Sequence, residues 1–269
     1  MDASKSGLML WFTQILPTLL PFCMLSYMVL HSEILPKKLG AGYVILCGFL
    51  FGFPIGSKLT ADLYKKQRIS EKEADLLCCF TNNLSPAFVI ASLQQILHLS
   101  VPIHCYFLLY GIPLCYGTTL LLLYHRNHVF TQKETASRFH MDMQIVDAGI
   151  INGFETLIRI CGYMILFSVF CAVFQKISGL SPWILLLLTG SLEVTNGMAA
   201  LADFPCSRTV QLFLALCFLS WGGLCGLFQT FSILEDAGLS MKKYILQKLC
   251  LLFLTVSVSL LLLVCGVLL

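Results

Sequence analysis

The stretch GFPIGSKLTADLYKKQRISEKEADLLCCFTNNLSPAFVI, residues 52–90, carries the pattern that decides the fold. It begins in an apolar run interrupted at GFLFGFPIG (Gly48–Gly56) and ends in another interrupted at TNNLSP (Thr81–Pro86). Gly and Pro break helices in such runs, and Pro86 leaves the carbonyl of Asn82 without its helical partner. Irregular backbone at membrane depth survives only where protein or a cavity surrounds it. The stretch therefore predicts interrupted helices inside a membrane-spanning bundle.

The composition is typical of a chain whose solvent is lipid. Of its 269 residues, 58% are hydrophobic and 12% are charged, and the mean hydropathy is +0.85, whereas soluble domains carry about 25% charged residues. A lipid bilayer is therefore an expected partner, and the small net charge of +3 does not indicate nucleic-acid binding. The 13 cysteines and six histidines lack the spacing of zinc ligands, and no hydrolase motif is present. We predict no metal, no cofactor and no enzyme activity.

Eight apolar stretches are long enough, or nearly so, to cross a bilayer, which takes about 20 residues. The sixth is interrupted by GSLEVTNG (Gly190–Gly197), and the seventh carries a second weak point at SWGG (Ser220–Gly223). Ser70 and Glu73 have the spacing of a capping box, so a helix is expected to start at Ser70. The stretches are 8–30, 41–57, 74–97, 101–124, 145–174, 182–202, 209–233 and 245–269.

The Lys and Arg residues between the stretches indicate which of them cross. If all eight cross, the two faces hold 10 and 6 of the 17 Lys and Arg. If 41–57 and 182–202 are re-entrant hairpins, the division is 13 against 3. The positive-inside rule favours the hairpins, with 58–73 in the cytoplasm and both termini outside. The thirteen are Lys37, Lys38, Lys58, Lys65, Lys66, Arg68, Lys72, Arg126, Lys133, Arg138, Lys242, Lys243 and Lys248, against Lys5, Lys176 and Arg208, with Arg159 uncounted inside a span.

Each half of the chain then reads as helix, hairpin, broken helix and helix. Three crossings per half place the halves in opposite orientations, as in transporters built from inverted repeats. We therefore predict an all-α polytopic membrane protein of two inverted repeats, each with three transmembrane helices and one re-entrant helical hairpin. The first repeat is 1–125 (hairpin 41–66, broken helix 74–97), the cytoplasmic linker is 126–144, and the second repeat is 145–269 (hairpin 182–202, broken helix 209–233).

Residues 52–90 resemble the sporulation integral membrane proteins of the YlbJ type, which belong to the Gate, or nucleoside-recognition, superfamily. Three further segments resemble that family in the same order, so the resemblance covers most of the chain. These segments are LWFTQILPTLLPF (Leu10–Phe22), ETLIRICGYMILFSV (Glu155–Val169) and LEVTNGMAAL (Leu192–Leu201).

The resemblance implies a core similar to concentrative nucleoside transporters and a role in bacterial endospore formation. It also implies a location in the cell membrane or outer forespore membrane, and passage of dipicolinate. The expected function is alternating-access transport of a small polar, anionic metabolite, with a coupling proton or cation as a further partner. The alternatives are a transporter of nucleosides or other neutral solutes and a non-transporting structural protein of spore maturation. Because relatives commonly carry additional helices, a second copy or a partner membrane protein is also expected.

The polar residues of the first interruption are the leading candidates for substrate contact, because their amides and hydroxyls replace water around a polar solute. The alternative is that they satisfy the broken backbone or hold a facing helix. They are Thr81, Asn82, Asn83, Ser85 and Pro86.

The two hairpins supply the remaining candidates. Gly52, Pro54 and Gly56 are expected to shape the first tip, where helix N-termini favour an anion. The second tip offers a carboxylate that binds a coupling cation or proton, or that pairs with Lys58 or Arg159. Its candidate residues are Glu193, Thr195, Asn196 and Gly197.

Lys58 and Arg159 are the cations best placed for a dianionic substrate. The alternative is that both extend towards the interface and contact no substrate. Glu155 lies four residues before Arg159 and is its expected helical partner.

Overall fold

A computed structural model describes residues 2–34, 39–96, 98, 102–127, 139–177 and 179–266. Every regular element in these ranges is helical. Most of the predicted linker 126–144, and four of the predicted cytoplasmic cations, lie outside the described residues. These four are Lys37, Lys38, Lys133 and Arg138.

Six helices are long and apolar enough to cross a membrane, because each contains an 18-residue window of high hydropathy with at most two charges. The short hairpin helices are additional to these. The six are α1 (Ser4–His31), α4 (Glu71–Gln94), α5 (Ile103–Arg126), α6 (Met143–Phe174), α9 (Arg208–Asp236) and α10 (Met241–Val264).

Two pairs of short helices separate the long ones. The first hairpin joins α2 (Gly40–Phe51) to α3 (Ile55–Lys65), and the second joins α7 (Pro182–Leu192) to α8 (Val194–Ala202). In the first, the start of α2 faces the end of α3, because a Cβ on Gly40 would lie 3.4 Å from a Leu63 methyl carbon. In the second, a Cβ on Gly197 of α8 would lie 2.3 Å from the Gly190 Cα of α7. In both pairs, therefore, the second helix packs back against the first.

The two interrupted helices occupy the interior of the bundle. α4 ends its first part at Thr81 and resumes at Pro86, and α9 is interrupted at Gly222, whose φ is 78°. The most apolar window of α4 is 61% buried and that of α9 is 50% buried, against 6% for α1. Both predicted interruptions are confirmed, and the chain surrounds them with protein, as unpaired backbone requires.

The predicted capping box at Ser70 is confirmed. The Ser70 hydroxyl accepts from the Glu73 N–H at 3.2 Å, and the Glu73 carboxylate accepts from the Ser70 N–H at 2.9 Å. The same carboxylate lies 2.8 Å from His125 Nε2. These bonds fix the start of α4 and attach it to the end of α5.

Ser70→Ala is expected to lower the free energy of unfolding by about 1 kcal/mol, because it removes the N-cap acceptor of α4. The measurement is a thermal melt of the detergent-purified protein. Lys72→Ala is the control, since Lys72 is exposed in the same turn. Equal melting temperatures for the two variants would contradict the capping role.

In the described ranges, seven of the cations predicted in cytoplasmic loops lie within helices, and one of them, Lys248, is buried with 4% of its surface exposed. The seven are Lys58 and Lys65 in α3, Lys72 in α4, Arg126 in α5, and Lys242, Lys243 and Lys248 in α10. The assignment of Lys248 to a cytoplasmic loop was wrong, because a single Lys in an apolar run near a helix end looks the same in the sequence whether it faces water or protein. The orientation of the termini stays a prediction.

Candidate functional site

A polar network fills the interruption of α4, which we call the first break (residues 82–85). The Asn82 amide nitrogen donates to the Thr230 hydroxyl at 2.8 Å and to the Tyr244 hydroxyl at 2.9 Å. The Asn82 side-chain oxygen accepts from the Ser57 N–H at 3.4 Å. One side chain therefore joins the first hairpin, α9 and α10 at the break.

Asn83 and Lys248 complete this network. The Asn83 amide nitrogen donates to the Phe80 carbonyl at 2.6 Å, and its side-chain oxygen accepts from Lys248 Nζ at 3.1 Å. Lys248 Nζ also donates to the Asn82 carbonyl at 3.4 Å. This is the carbonyl that Pro86 deprives of a helical partner. In this conformation, the side-chain amide groups of both asparagines are hydrogen-bonded to other groups of the protein.

Glycines allow the first hairpin to lie directly on the break. A Cβ on Gly48 would lie 2.6 Å from the Thr81 carbonyl oxygen, and one on Gly56 would lie 2.5 Å from the same atom. A Cβ on Gly52 would lie 2.5 Å from the Ser85 nitrogen. The Phe53 N–H, two residues before the helix α3, donates to the Asn83 carbonyl at 2.6 Å. Pro54 occupies the N-cap position of α3, directly after Phe53.

The tips of both hairpins reach the interruption of α9, which we call the second break (Gly222–Gly223). The Phe53 ring lies against Gly222, where a Cβ would be 3.9 Å from the ring, and against Gly226 in the next turn, where it would be 3.2 Å away. The second tip lies against Gly223, where a Cβ would be 3.2 Å from the Glu193 Cα. Each hairpin thus rests on the break of its own half, and the first also contacts the break of the other half.

Glu193 closes the N-terminus of its own helix, α8. Its carboxylate accepts from the Thr195 N–H at 3.1 Å and from the Asn196 N–H at 2.7 Å. The Asn196 amide nitrogen donates to the Ser168 hydroxyl at 3.3 Å. An anion at this tip would compete with the protein's own carboxylate. At the first tip, the Ser57 N–H is likewise taken by Asn82.

The alternative pairing of Glu193 with Lys58 or Arg159 is wrong. The Arg159 guanidinium instead donates to Asp236 at 2.7 Å and to Glu155 at 2.9 Å, which confirms the predicted Glu155–Arg159 pair. Among the described residues, Glu193 forms no ion pair. Arg159 prefers these carboxylates because they sit on its own helix and on the adjacent end of α9.

A polar cavity of about 210 Å³ lies between α3, α6 and the second part of α9. Three cations face three carboxylates around it, so its charges balance. Asn152 and Gln229 add amide groups, and the buried side-chain oxygen of Asn152 has no hydrogen-bond partner. The charged residues are Lys58, Lys65, Arg159, Asp62, Glu155 and Asp236.

The structure divides the predicted site residues into three groups. The residues of the first break and the first tip lie together, Glu193 lies with Thr195, Asn196 and Gly197 at the second tip, and Lys58 and Arg159 line the cavity. Sequence reasoning missed the partners Lys248, Tyr244, Thr230 and Gln229. A Lys within the apolar run 245–269 was an available signal for the first of these.

Comparison with known proteins agrees with the membrane architecture. The chain is similar to the sporulation integral membrane protein YlbJ of Bacillus subtilis, with 24% identity over an alignment of 302 positions that covers 92% of this chain and 74% of YlbJ. The chain is an integral membrane protein. No family model matches it, and no solved structure matches it.

Proposed function

We propose that this protein moves a small polar metabolite across a membrane during sporulation, by alternating access between two inverted repeats. The observation that carries the proposal is that each hairpin rests on a helix break: Gly52 on Ser85, and Glu193 on Gly223. Re-entrant or discontinuous segments packed at the centre of a bundle are typical of secondary transporters. The sporulation context comes from the name of the relative YlbJ.

Corresponding glycines support the repeat. Gly48 and Gly190 are 142 residues apart in the sequence, and both lie where a hairpin helix meets the following broken helix. A Cβ on Gly48 would lie 2.6 Å from Thr81, and one on Gly190 would lie 2.4 Å from the Phe218 ring. A glycine at the same helix contact in both halves favours two related units that move against each other.

The charged residues around the cavity suggest two classes of solute. Dipicolinate, a dianion, is the first substrate to test, because among the described residues Lys58 and Lys65 line the cavity without an ion-pair partner. A nucleoside or another neutral solute is the second candidate, favoured by the equal number of cations and carboxylates around the cavity. The two differ in how strongly transport would depend on Lys58.

Counterflow in proteoliposomes tests both solutes. Vesicles loaded with unlabelled dipicolinate or uridine would be given the labelled solute, with protein-free vesicles as the baseline. Exchange above the baseline supports the proposal and selects the solute. No exchange of either solute, with the re-extracted protein still monodisperse, would contradict it and favour a structural role in spore maturation. That role also predicts normal sporulation when Lys58, which lines the cavity, is replaced by Gln.

Lys58→Gln is expected to lower dipicolinate exchange about tenfold, which corresponds to about 1.4 kcal/mol of lost interaction with a carboxylate. The measurement is the initial rate of counterflow at subsaturating dipicolinate. Lys242→Gln is the control, because Lys242 is exposed and does not line the cavity. If Lys58→Gln and Lys242→Gln exchange dipicolinate at the same rate, Lys58 does not contact the solute.

A further inference from the structure

Lys248 is a buried cation at the centre of the bundle. Its side chain leaves α10 one turn after Tyr244, and only 4% of the residue's surface is exposed. Its ammonium lies 3.4 Å from the Asn82 carbonyl oxygen and 3.1 Å from the Asn83 side-chain oxygen. Both oxygens belong to the first break, so the ammonium is held by the irregular part of α4.

No carboxylate balances this charge among the described residues. Lys243, on the same helix, pairs with Asp75 at 2.6 Å and with Glu71 at 3.1 Å, but Lys248 forms no ion pair in the described part of the chain. A buried ammonium without a counter-ion is costly unless other groups replace its water. Here the oxygens of the broken helix replace the water around the ammonium.

The same oxygens are the kind that bind a cation. Unwound carbonyls and the C-terminal ends of half-helices coordinate Na⁺ in discontinuous transporter helices. The first part of α4 ends at Thr81, so the negative end of its dipole points to the ammonium. The Asn82 carbonyl is available because Pro86 has no N–H to donate to it. An amide oxygen from Asn83 adds a second neutral ligand.

We propose that the Lys248 ammonium is a built-in cation that fills an oxygen-lined site at the first break, so that the native chain takes no Na⁺ there. Removing the side chain would convert this position into a Na⁺ site formed by the Asn82 carbonyl and the Asn83 side chain. If the protein is the transporter proposed above, its native form therefore carries its solute without binding Na⁺ at this break. The assignment of Lys248 itself does not depend on which solute is carried.

The test compares purified variants in NaCl and in choline chloride at equal ionic strength. Lys248→Ala opens space for a small cation, and Lys248→Ser opens it and adds a hydroxyl oxygen. Lys248→Met keeps the aliphatic stem, which fills the space. Lys242→Ala controls for the loss of a positive charge elsewhere on the same helix, where the side chain is exposed.

We expect 100 mM Na⁺ in place of choline to raise the melting temperature of Lys248→Ala or Lys248→Ser by about 5 °C, as binding of a ligand to the native state alone does. The wild type, Lys248→Met and Lys242→Ala are expected to melt at the same temperature in both salts. The proposal is overturned if neither opened variant responds to Na⁺, or if the wild type responds equally. It is also overturned if both opened variants aggregate equally in the two salts during extraction.

Transport gives a separate readout. Counterflow by the wild type is expected to be unchanged when choline replaces Na⁺, and counterflow by Lys248→Ala is expected to become Na⁺-dependent. Absence of counterflow in the wild type would contradict the proposed function alone. Absence of a Na⁺-dependent melting shift in the opened variants would contradict the role of Lys248 alone.

Discussion

Gly52→Ala is expected to lower the free energy of unfolding by about 3 to 5 kcal/mol, which combines backbone strain with overpacking. Gly52 has φ 74° and ψ −163°, a region that residues with a Cβ rarely adopt. The new Cβ would also lie 2.5 Å from the Ser85 nitrogen and 2.7 Å from the Asn83 carbonyl oxygen. Both neighbours are backbone atoms, so rotation of a side chain cannot relieve the clash.

The measurement is the melting temperature of the detergent-purified variant together with its yield of monodisperse protein. Gly42→Ala is the matched control, because Gly42 lies in α2 of the same hairpin and a Cβ there would meet no atom within 4 Å. Gly42→Ala is expected to melt at or above the wild-type temperature, since Ala favours helix. Similar melting of the two variants would show that the first hairpin does not rest on the break.

Asn82→Leu is expected to cost about 3 kcal/mol, because a similar volume of apolar side chain replaces three hydrogen bonds in a buried site. The Ser57 N–H loses its acceptor, and the hydroxyls of Thr230 and Tyr244 lose their donor. Asn82 itself is 1% exposed, so water does not reach these groups to replace the lost bonds. Chemical denaturation or a thermal melt in detergent would measure the loss.

Two further variants give a graded series. Tyr244→Phe removes only one of the three bonds and is expected to cost about 1 kcal/mol. Asn152→Leu is the control, because the buried side-chain oxygen of Asn152 has no hydrogen-bond partner to lose. It is expected to change stability little. An equal cost for Asn82→Leu and Asn152→Leu would mean that the network at the break contributes nothing.

The local breaks could be predicted because their causes are local. Pro86 removes an N–H from its own helix, and Gly222 provides the positive φ that interrupts α9. The capping box at Ser70 needs only residues three positions apart. In each case a few neighbouring residues decide the backbone, and the structure places the break or helix start where the sequence pattern indicates it.

The partners of the site residues could not be predicted in the same way. Lys248 contacts Asn83, which lies 165 positions earlier in the chain, and no local pattern in either segment indicates that the two residues meet. The sequence suggested Glu155 or Glu193 as the partner of Arg159. In the structure Arg159 pairs with the expected Glu155 and also with Asp236. Glu193 binds its own helix terminus, a contact that depends on the angle at which the chain enters α8.

The sequence by itself determined that the chain is a helical membrane protein, that two short apolar segments separate the long helices, and where α4 and α9 are interrupted. Hydrophobic length, proline and glycine act on the chain locally, whatever the helices later pack against. Only the tertiary structure decided that both hairpin tips reach the second break, that the first break is closed by Lys248, and that Lys58 and Arg159 share a cavity. These contacts join residues far apart in the chain, so the packing of the helices and the polar partners that it brings together, not local sequence pattern, select them.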